Sequence, residues 1–162
     1  MIVRLARAGD IDAVALVVAA VAPEGYLAAQ PPVDLQERAE RYRRMAEDSG
    51  TTRLWVLADE GRVVGYLGGE ETVPGVFSLG MAILPEARGR GGGRALIEAL
   101  AEHGRGCGAH KLWLEVWSDN AGAIAFYAAA GFEVEGLKRD HYRRRDGRLR
   151  STLLMGRRLD GQ

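Results

Sequence analysis

Pro85-Glu86-Ala87-Arg88-Gly89-Arg90-Gly91-Gly92-Gly93-Arg94 is the stretch on which the fold of this chain turns. An apolar run at 76–84 leads into it, and the pattern that follows is helical. From Gly93 onward Ala95, Leu96, Ala99, Leu100 and His103 recur on one face, with Arg94, Glu98, Glu102 and Arg105 on the other. Arg94 and Glu98 stand at i, i+4 and are expected to pair. Between strand and helix, glycines let the backbone bend tightly and approach a ligand with no Cβ in the way. The first-turn N–H groups of the helix then point outward at the positive end of its dipole. Arg88, Arg90 and Arg94 add full charges. The loop is therefore expected to hold a di- or polyphosphate, and a flexible surface turn is the plainer alternative. No Gly-Lys-Ser/Thr follows, which excludes a Walker A loop. Glu115, the first acidic residue on the next strand, comes too late for the ribose contact of a dinucleotide fold.

Working outward, residues 2–8 read as a strand, and Asp10 as the cap of a helix with Ile11, Val14, Ala15, Val18 and Ala22 on one face. Prolines 23, 31 and 32 and Gly25 make a long connection, and 34–48 is a polar helix. Runs 54–58 and 63–67 flank Asp59-Glu60-Gly61, a hairpin signal. A strand at 111–117 and a helix at 121–130 closed by Gly131 follow, then strands at 132–142 and 149–158 around Asp146-Gly147. The order β-α-α-β-β-β-α-β-α-β-β predicts one α/β domain over 1–162, without repeat or linker.

Composition narrows the function classes. At 47% apolar and 27% charged residues in 162, the chain has the balance of a soluble globular protein. No run of about 18 apolar residues is present, so no membrane partner is expected. A lone Cys107 forms no internal disulfide, which suits a reducing, cytoplasmic setting. Formal net charge is zero, but residues 136–158 hold nine cations against two anions. That tail is read first as a solvated strand face, then as an attractor of an acidic acceptor or of a cofactor phosphate. Nucleic acid is not an expected partner, because Tyr142 is the only stacking aromatic among those cations.

Three motifs together carry a resemblance. Arg88-x-x-Gly91-x-Gly93 after a strand, then Leu112-Trp113-Leu114-Glu115-Val116, then Asn120-Ala121-x-Ala123-Ile124-Ala125-Phe126-Tyr127 with Gly131-Phe132, resemble the signatures of the GNAT superfamily of N-acetyltransferases. Residues 115–132 are similar to the enzymes that acetylate the N-terminal amine of ribosomal proteins. The tail, from Glu135-Gly136-x-x-Arg139 to Met155-Gly156, resembles small-molecule and amino-acid acetyltransferases, but has Arg150-Ser151 where those carry an acidic residue. The resemblance implies a mixed, mostly antiparallel seven-stranded sheet whose parallel central strands, 76–84 and 111–117, splay apart, flanked by about four helices. It implies acetyl-CoA as co-substrate and direct transfer to a primary amine, with no metal and no covalent enzyme intermediate. A small-molecule acceptor is the first expectation and a protein N-terminus the alternative. A non-catalytic acetyl-CoA-binding module is the alternative of another class, and a homodimer is left open.

The same resemblance implies roles for single residues. Main-chain groups of Met81, Ala82 and Ile83 would pair with the pantetheine arm, and N–H groups of Gly89, Arg90, Gly91, Gly92, Gly93 and Arg94 would hold the pyrophosphate. Asn120 and Tyr127, two helical turns apart, share a face with Ala123; with Phe126 they would line the cofactor arm. Tyr127 would be the general acid, and half-buried packing is its plainer reading. Asn120 could equally cap its helix. Glu115 is the candidate base, twelve residues before the tyrosine as in the ribosomal-protein enzymes. Strand alternation puts it beside Trp113 and Trp117, where desolvation would raise its pKa toward neutrality. His141 and Glu70 are the reserve bases.

Overall fold

A computed structural model describes residues 1–48, 50 and 52–160. Its strands are β1 (Ile2–Leu5), β2 (Thr52–Asp59), β3 (Arg62–Val73), β4 (Val76–Ile83), β5 (Lys111–Trp117), β6 (Glu133–Arg143) and β7 (Leu149–Arg158). Its α-helices are α1 (Ile11–Val21), α2 (Leu35–Glu47), α3 (Gly92–Gly106) and α4 (Ala121–Ala129). The strands form one sheet in the order β1-β2-β3-β4-β5-β7-β6. Each neighbouring pair is antiparallel except β4 and β5. These two meet in register only at Val76–Ser78 against residues 111–113, so beyond Ser78 they diverge. The element order and the splayed parallel pair are as expected. The third strand differs: β3 runs on to Val73, paired with β4 as far as the Val73–Val76 turn.

Glycines 68 and 69 tell the two faces apart. A Cβ on Gly68 would meet Met45 of α2, and one on Gly69 would meet Leu100 of α3. Since successive strand residues point to opposite faces, α2 covers one side of the sheet and α3 the other. Register carries these faces across the sheet. Tyr66, Ala82, Trp113 and Glu115 lie on the α2 side. Met81 and Ile83 lie on the α3 side, where both approach Gly93.

The face that α3 buries is Leu96, Ile97, Leu100, Ala101 and Gly104, one position round from the expected set, and Ala95 is exposed. Full burial of side chains such as Leu96 and Leu100 is worth about 1.5–3 kcal/mol each. That outweighs the few tenths of a kcal/mol in the expected Arg94–Glu98 surface pair. With the helix so rotated, Glu98 is taken by Arg157 of β7 at 2.7 and 3.2 Å. Arg94 makes no ion pair among the described residues and lines the opening between β4 and β5.

Candidate active site

Where β4 and β5 part, a cleft of about 1170 Å³ opens through the sheet. On the α3 side its mouth is the glycine loop. Gly89 (φ 72°) and Gly91 (φ 83°) take the left-handed backbone that side chains disfavour, which turns the chain from the single turn Pro85–Ala87 into α3. The first intrahelical bond runs from Ala95 N–H to Gly91 C=O at 3.1 Å, so the N–H groups of Gly92, Gly93 and Arg94 precede it. A Cβ on Gly92 would collide with Leu57, and one on Gly93 would press on Phe126 at 3.0 Å. The loop is thus a cradle of main-chain donors at a helix N-terminus, and an anionic group fits it.

The three arginines behave differently from one another. Arg88 bonds the Ile83 carbonyl at 2.9 Å and Glu24 at 2.8 and 3.0 Å, fastening the loop to β4 and to the end of α1. Arg90 pairs with Asp59 at 2.7 Å and does not line the cleft, which corrects the expectation that its charge serves the loop. Arg94 alone of the three brings an uncompensated charge to the mouth.

Along the opening, the edge of β4 that carries Met81, Ala82 and Ile83 has no strand partner toward β5. Asn120 caps α4 by accepting from Ala123 N–H at 3.2 Å, and its amide N–H₂ stays available to the cleft. Ala123, Phe126 and Tyr127 line the same wall. Tyr127 is 9% exposed, and burial pushes its phenol up to about 12. It makes no hydrogen bond with a described residue, and no fully buried side-chain oxygen among them lacks a partner. Its hydroxyl therefore opens into the cleft as a neutral donor.

On the α2 side, Glu115 is held in a way strand alternation could not reveal. It accepts from Lys138 Nζ, from the Tyr142 hydroxyl at 2.8 Å and from Thr152 Oγ1 at 3.0 Å. Desolvation raises its carboxyl, but these three bonds and the Lys138 charge outweigh it and hold the group below its ordinary 4.5. The expected rise toward neutrality is thus overturned. Nor do two indoles enclose it. Trp113 donates to Thr72 Oγ1 at 3.0 Å, and Trp117 packs against Tyr142, Arg144 and Arg150. The cause is a bulge in β6: Lys138 pairs with Thr152 and Tyr142 with Arg150, four steps against two, so both reach one carboxylate. Glu70 lines the cleft, whereas His141 does not and packs edge-on to Tyr142 at 4.8 Å.

Sequence reasoning missed two further features. Tyr42 of α2 and Tyr66 of β3 share a buried hydroxyl–hydroxyl bond of 2.8 Å at the cleft wall, and burial raises both phenols. The basic tail is not merely a solvated face. Arg144 donates to the carbonyls of Leu27 and Ala28 (3.1 and 3.3 Å), Arg145 to those of Gln30 and Pro31 (3.2 and 2.8 Å), and Arg150 to that of Gly25 (2.5 Å). They strap segment 25–32 over the α2-side mouth. Nothing local in the sequence marks contacts across more than a hundred residues. Among the described residues no helix is long and apolar enough to cross a membrane, and no cluster of His, Cys, Asp or Glu could hold a metal ion.

Comparison with known proteins agrees with this geometry. The chain is 29% identical over 119 residues to the [ribosomal protein bS18]-alanine N-acetyltransferase of Escherichia coli K12, covering 70% of this chain and 80% of that one. It is 37% identical over 87 residues to N-alpha-acetyltransferase RimI of Mycobacterium tuberculosis, 51% of this chain and 53% of that one. Among solved structures, a ribosomal-protein-alanine N-acetyltransferase from Brucella melitensis superposes with a TM-score of 0.83 at 26% identity, over 98% and 99% of the two chains. The fold is also that of yncA of Salmonella typhimurium, solved with acetyl-CoA (TM-score 0.85, 22% identity, 100% and 95% covered). The model of the Acetyltransferase (GNAT) family matches residues 22–132, from the end of α1 through the glycine loop to the turn after α4, and the chain belongs to that family.

Proposed function

We propose that the chain acetylates the α-amine of a peptide or protein N-terminus. As a member of its family it is an acetyl-CoA-dependent N-acetyltransferase. The observation that carries the reading is the cleft itself, with main-chain donors at one mouth and an anionic carboxylate at the other. On this reading the N–H groups of residues 89–94 and the charge of Arg94 hold the pyrophosphate. The free edge of β4 at Met81, Ala82 and Ile83 pairs with the pantetheine arm, with Asn120, Ala123 and Phe126 opposite. The thioester supplies the acyl group, and the amine arrives from the Glu115 side.

The pKa directions refine what each residue does. With its carboxyl held below 4.5, Glu115 is a poor base toward a free ammonium. The amine must therefore enter already neutral. Its nitrogen becomes strongly acidic once its lone pair has bonded to the acyl carbon, and Glu115 accepts that proton. As the carbon–sulfur bond breaks, Tyr127 donates a hydrogen bond to the leaving sulfur. A phenol near 12 gives up its proton reluctantly to a thiolate whose own pKa is about 8.5, so stabilising the sulfur counts for more than full transfer.

The named activities of the E. coli, M. tuberculosis and B. melitensis relatives support a peptide α-amine over the small molecule expected first. A small-molecule amine is the second reading, favoured by the strap of segment 25–32 over the mouth. The test is thiol release from acetyl-CoA with an alanine-terminal peptide, its N-blocked form and a panel of small amines. Release that needs the free N-terminus supports the proposal. Turnover of small amines alone would replace the acceptor, and a protein that neither binds acetyl-CoA nor releases thiol would defeat the reading.

A further inference from the structure

We infer that the acceptor carries a carboxylate close to its reactive amine, and that Arg38 and Arg41 of α2 bind it. The inference rests on the reading above, that the α2 side of the sheet takes the amine. Asp34 caps α2 by accepting from Glu37 N–H at 3.0 Å, which fixes where the helix begins. Arg38, Arg41, Tyr42 and Met45 then fall at i, i+3, i+4 and i+7, one face of the helix, and all four line the cleft. Tyr42 anchors that face: its ring meets Tyr66 edge-on at 5.0 Å, and the hydroxyls are bonded. Tyr66 stands opposite Ala82 in the β3–β4 register, so the two arginines project from a wall fixed against the strand beside the opening.

Charge makes the case. Of the six arginines that line the cleft, Arg88 pairs with Glu24, Arg143 and Arg144 donate to main-chain carbonyls, and Arg94 stands at the opposite, loop mouth. Neither Arg38 nor Arg41 forms an ion pair with any described carboxylate. Three carboxylates line the cleft, and Glu24 and Glu115 are already taken by Arg88 and Lys138, which leaves Glu70. Two neighbouring guanidinium groups in a partly enclosed cleft attract an anion and offer it a forked set of donors. They lie on the face of Glu115 rather than that of α3, so the anion they suit belongs to the acceptor. A carboxylate near an α-amine comes from an acidic side chain early in a peptide or from a free amino acid.

The experiment compares kcat/KM for matched acceptors differing in one carboxylate. One arm uses peptides beginning Ala-Glu and Ala-Gln; the other uses a free amino acid and its amide. Wild type should prefer the acid of a pair by about 10–100-fold, mainly through KM, as expected for a charge-assisted contact. The preference should shrink as salt is raised. The arm in which it appears identifies the source of the carboxylate. Arg38→Gln/Arg41→Gln should abolish the preference while leaving the acetyl-CoA melting shift intact, and the Arg38→Lys/Arg41→Lys pair should restore part of it. Equal rates for acid and amide in both arms, or a preference that survives the double glutamine variant, would overturn the inference. If no amine is acetylated, the proposed function fails by itself. Calorimetry of the two peptides on acetyl-CoA-loaded protein then decides the carboxylate site, and equal heats would dismiss it.

Discussion

At the loop mouth of the cleft, the donors are main-chain N–H groups from one short stretch, Gly92, Gly93 and Arg94 at the start of α3. At the opposite mouth the groups are side chains from α2, β5, β6 and β7, with Arg38, Glu115, Tyr142 and Thr152 lining one cleft from positions up to more than a hundred residues apart. On the proposed reading the first mouth takes the co-substrate and the second the acceptor, and the two are built by different means. A backbone cradle depends on little but glycine and helix geometry. A side-chain wall can be altered residue by residue. The first mouth should therefore break under one local change, and the second should yield in separable steps.

The largest effect is expected at the loop. Gly91→Asp puts a side chain on a left-handed residue (φ 83°) and a negative charge beside the free N–H groups. Saturating acetyl-CoA at 100 times Kd stabilises a binding protein by about 2.7 kcal/mol, seen as a rise in Tm, and the variant should show none. Gly147→Asp is the control. It has the same backbone sign (φ 84°) in the β6–β7 turn, far from the loop, and should keep the full shift. Equal losses in both variants would mean that backbone strain, not the cradle, is being read.

Next comes Tyr127→Phe. The hydroxyl bonds no described residue, so stability should change by under about 1 kcal/mol. Turnover should fall roughly 10–1000-fold at nearly constant acetyl-CoA affinity. Because the phenol sits at about 12, the wild-type rate should show no alkaline fall from this group below pH 10. An unchanged kcat with a good acceptor would leave Tyr127 as packing.

Glu115→Gln should cost roughly 100-fold in kcat/KM, by a factor that stays constant from pH 6 to 9. A carboxyl held below 4.5 is fully ionised throughout that range, so the acid limb should follow the acceptor's own amine. A deficit that narrows as pH rises would instead restore the raised carboxyl that alternation between indoles suggests. Stability gives an independent check of sign. A depressed carboxyl stabilises the fold above its unfolded pKa, and this contribution disappears as pH falls through the folded value. The Tm gap between wild type and Glu115→Gln should therefore close in acid. Lys138→Met removes the charge that opposes desolvation, so the Glu115 carboxyl should move up and bring an inflection into the acid limb.

The smallest change is expected at the strap. Arg144→Ala removes two carbonyl contacts from a partly exposed guanidinium. It should lower stability by about 1 kcal/mol or less and raise the acceptor KM a few-fold, with acetyl-CoA binding unchanged. A matching loss in acetyl-CoA affinity would show that the two mouths are not separable.

What the sequence by itself determined were the features written in neighbouring residues. Alternation at 111–117 gave β5 and the side on which Glu115 lies. The glycines before α3 gave the donor cradle, and the spacing of Asn120 and Tyr127 placed both on one wall. Local geometry sets each of these, so local reading reaches them. Tertiary structure decided the rest, because charges choose partners by distance in space. Arg90 went to Asp59, and Glu98 to Arg157 instead of Arg94. Glu115 became the centre of a bonded cluster because a bulge in β6 aligned Lys138 and Tyr142 on it. The strand period told which way that carboxylate points, but only packing could supply the three donors that hold its charge.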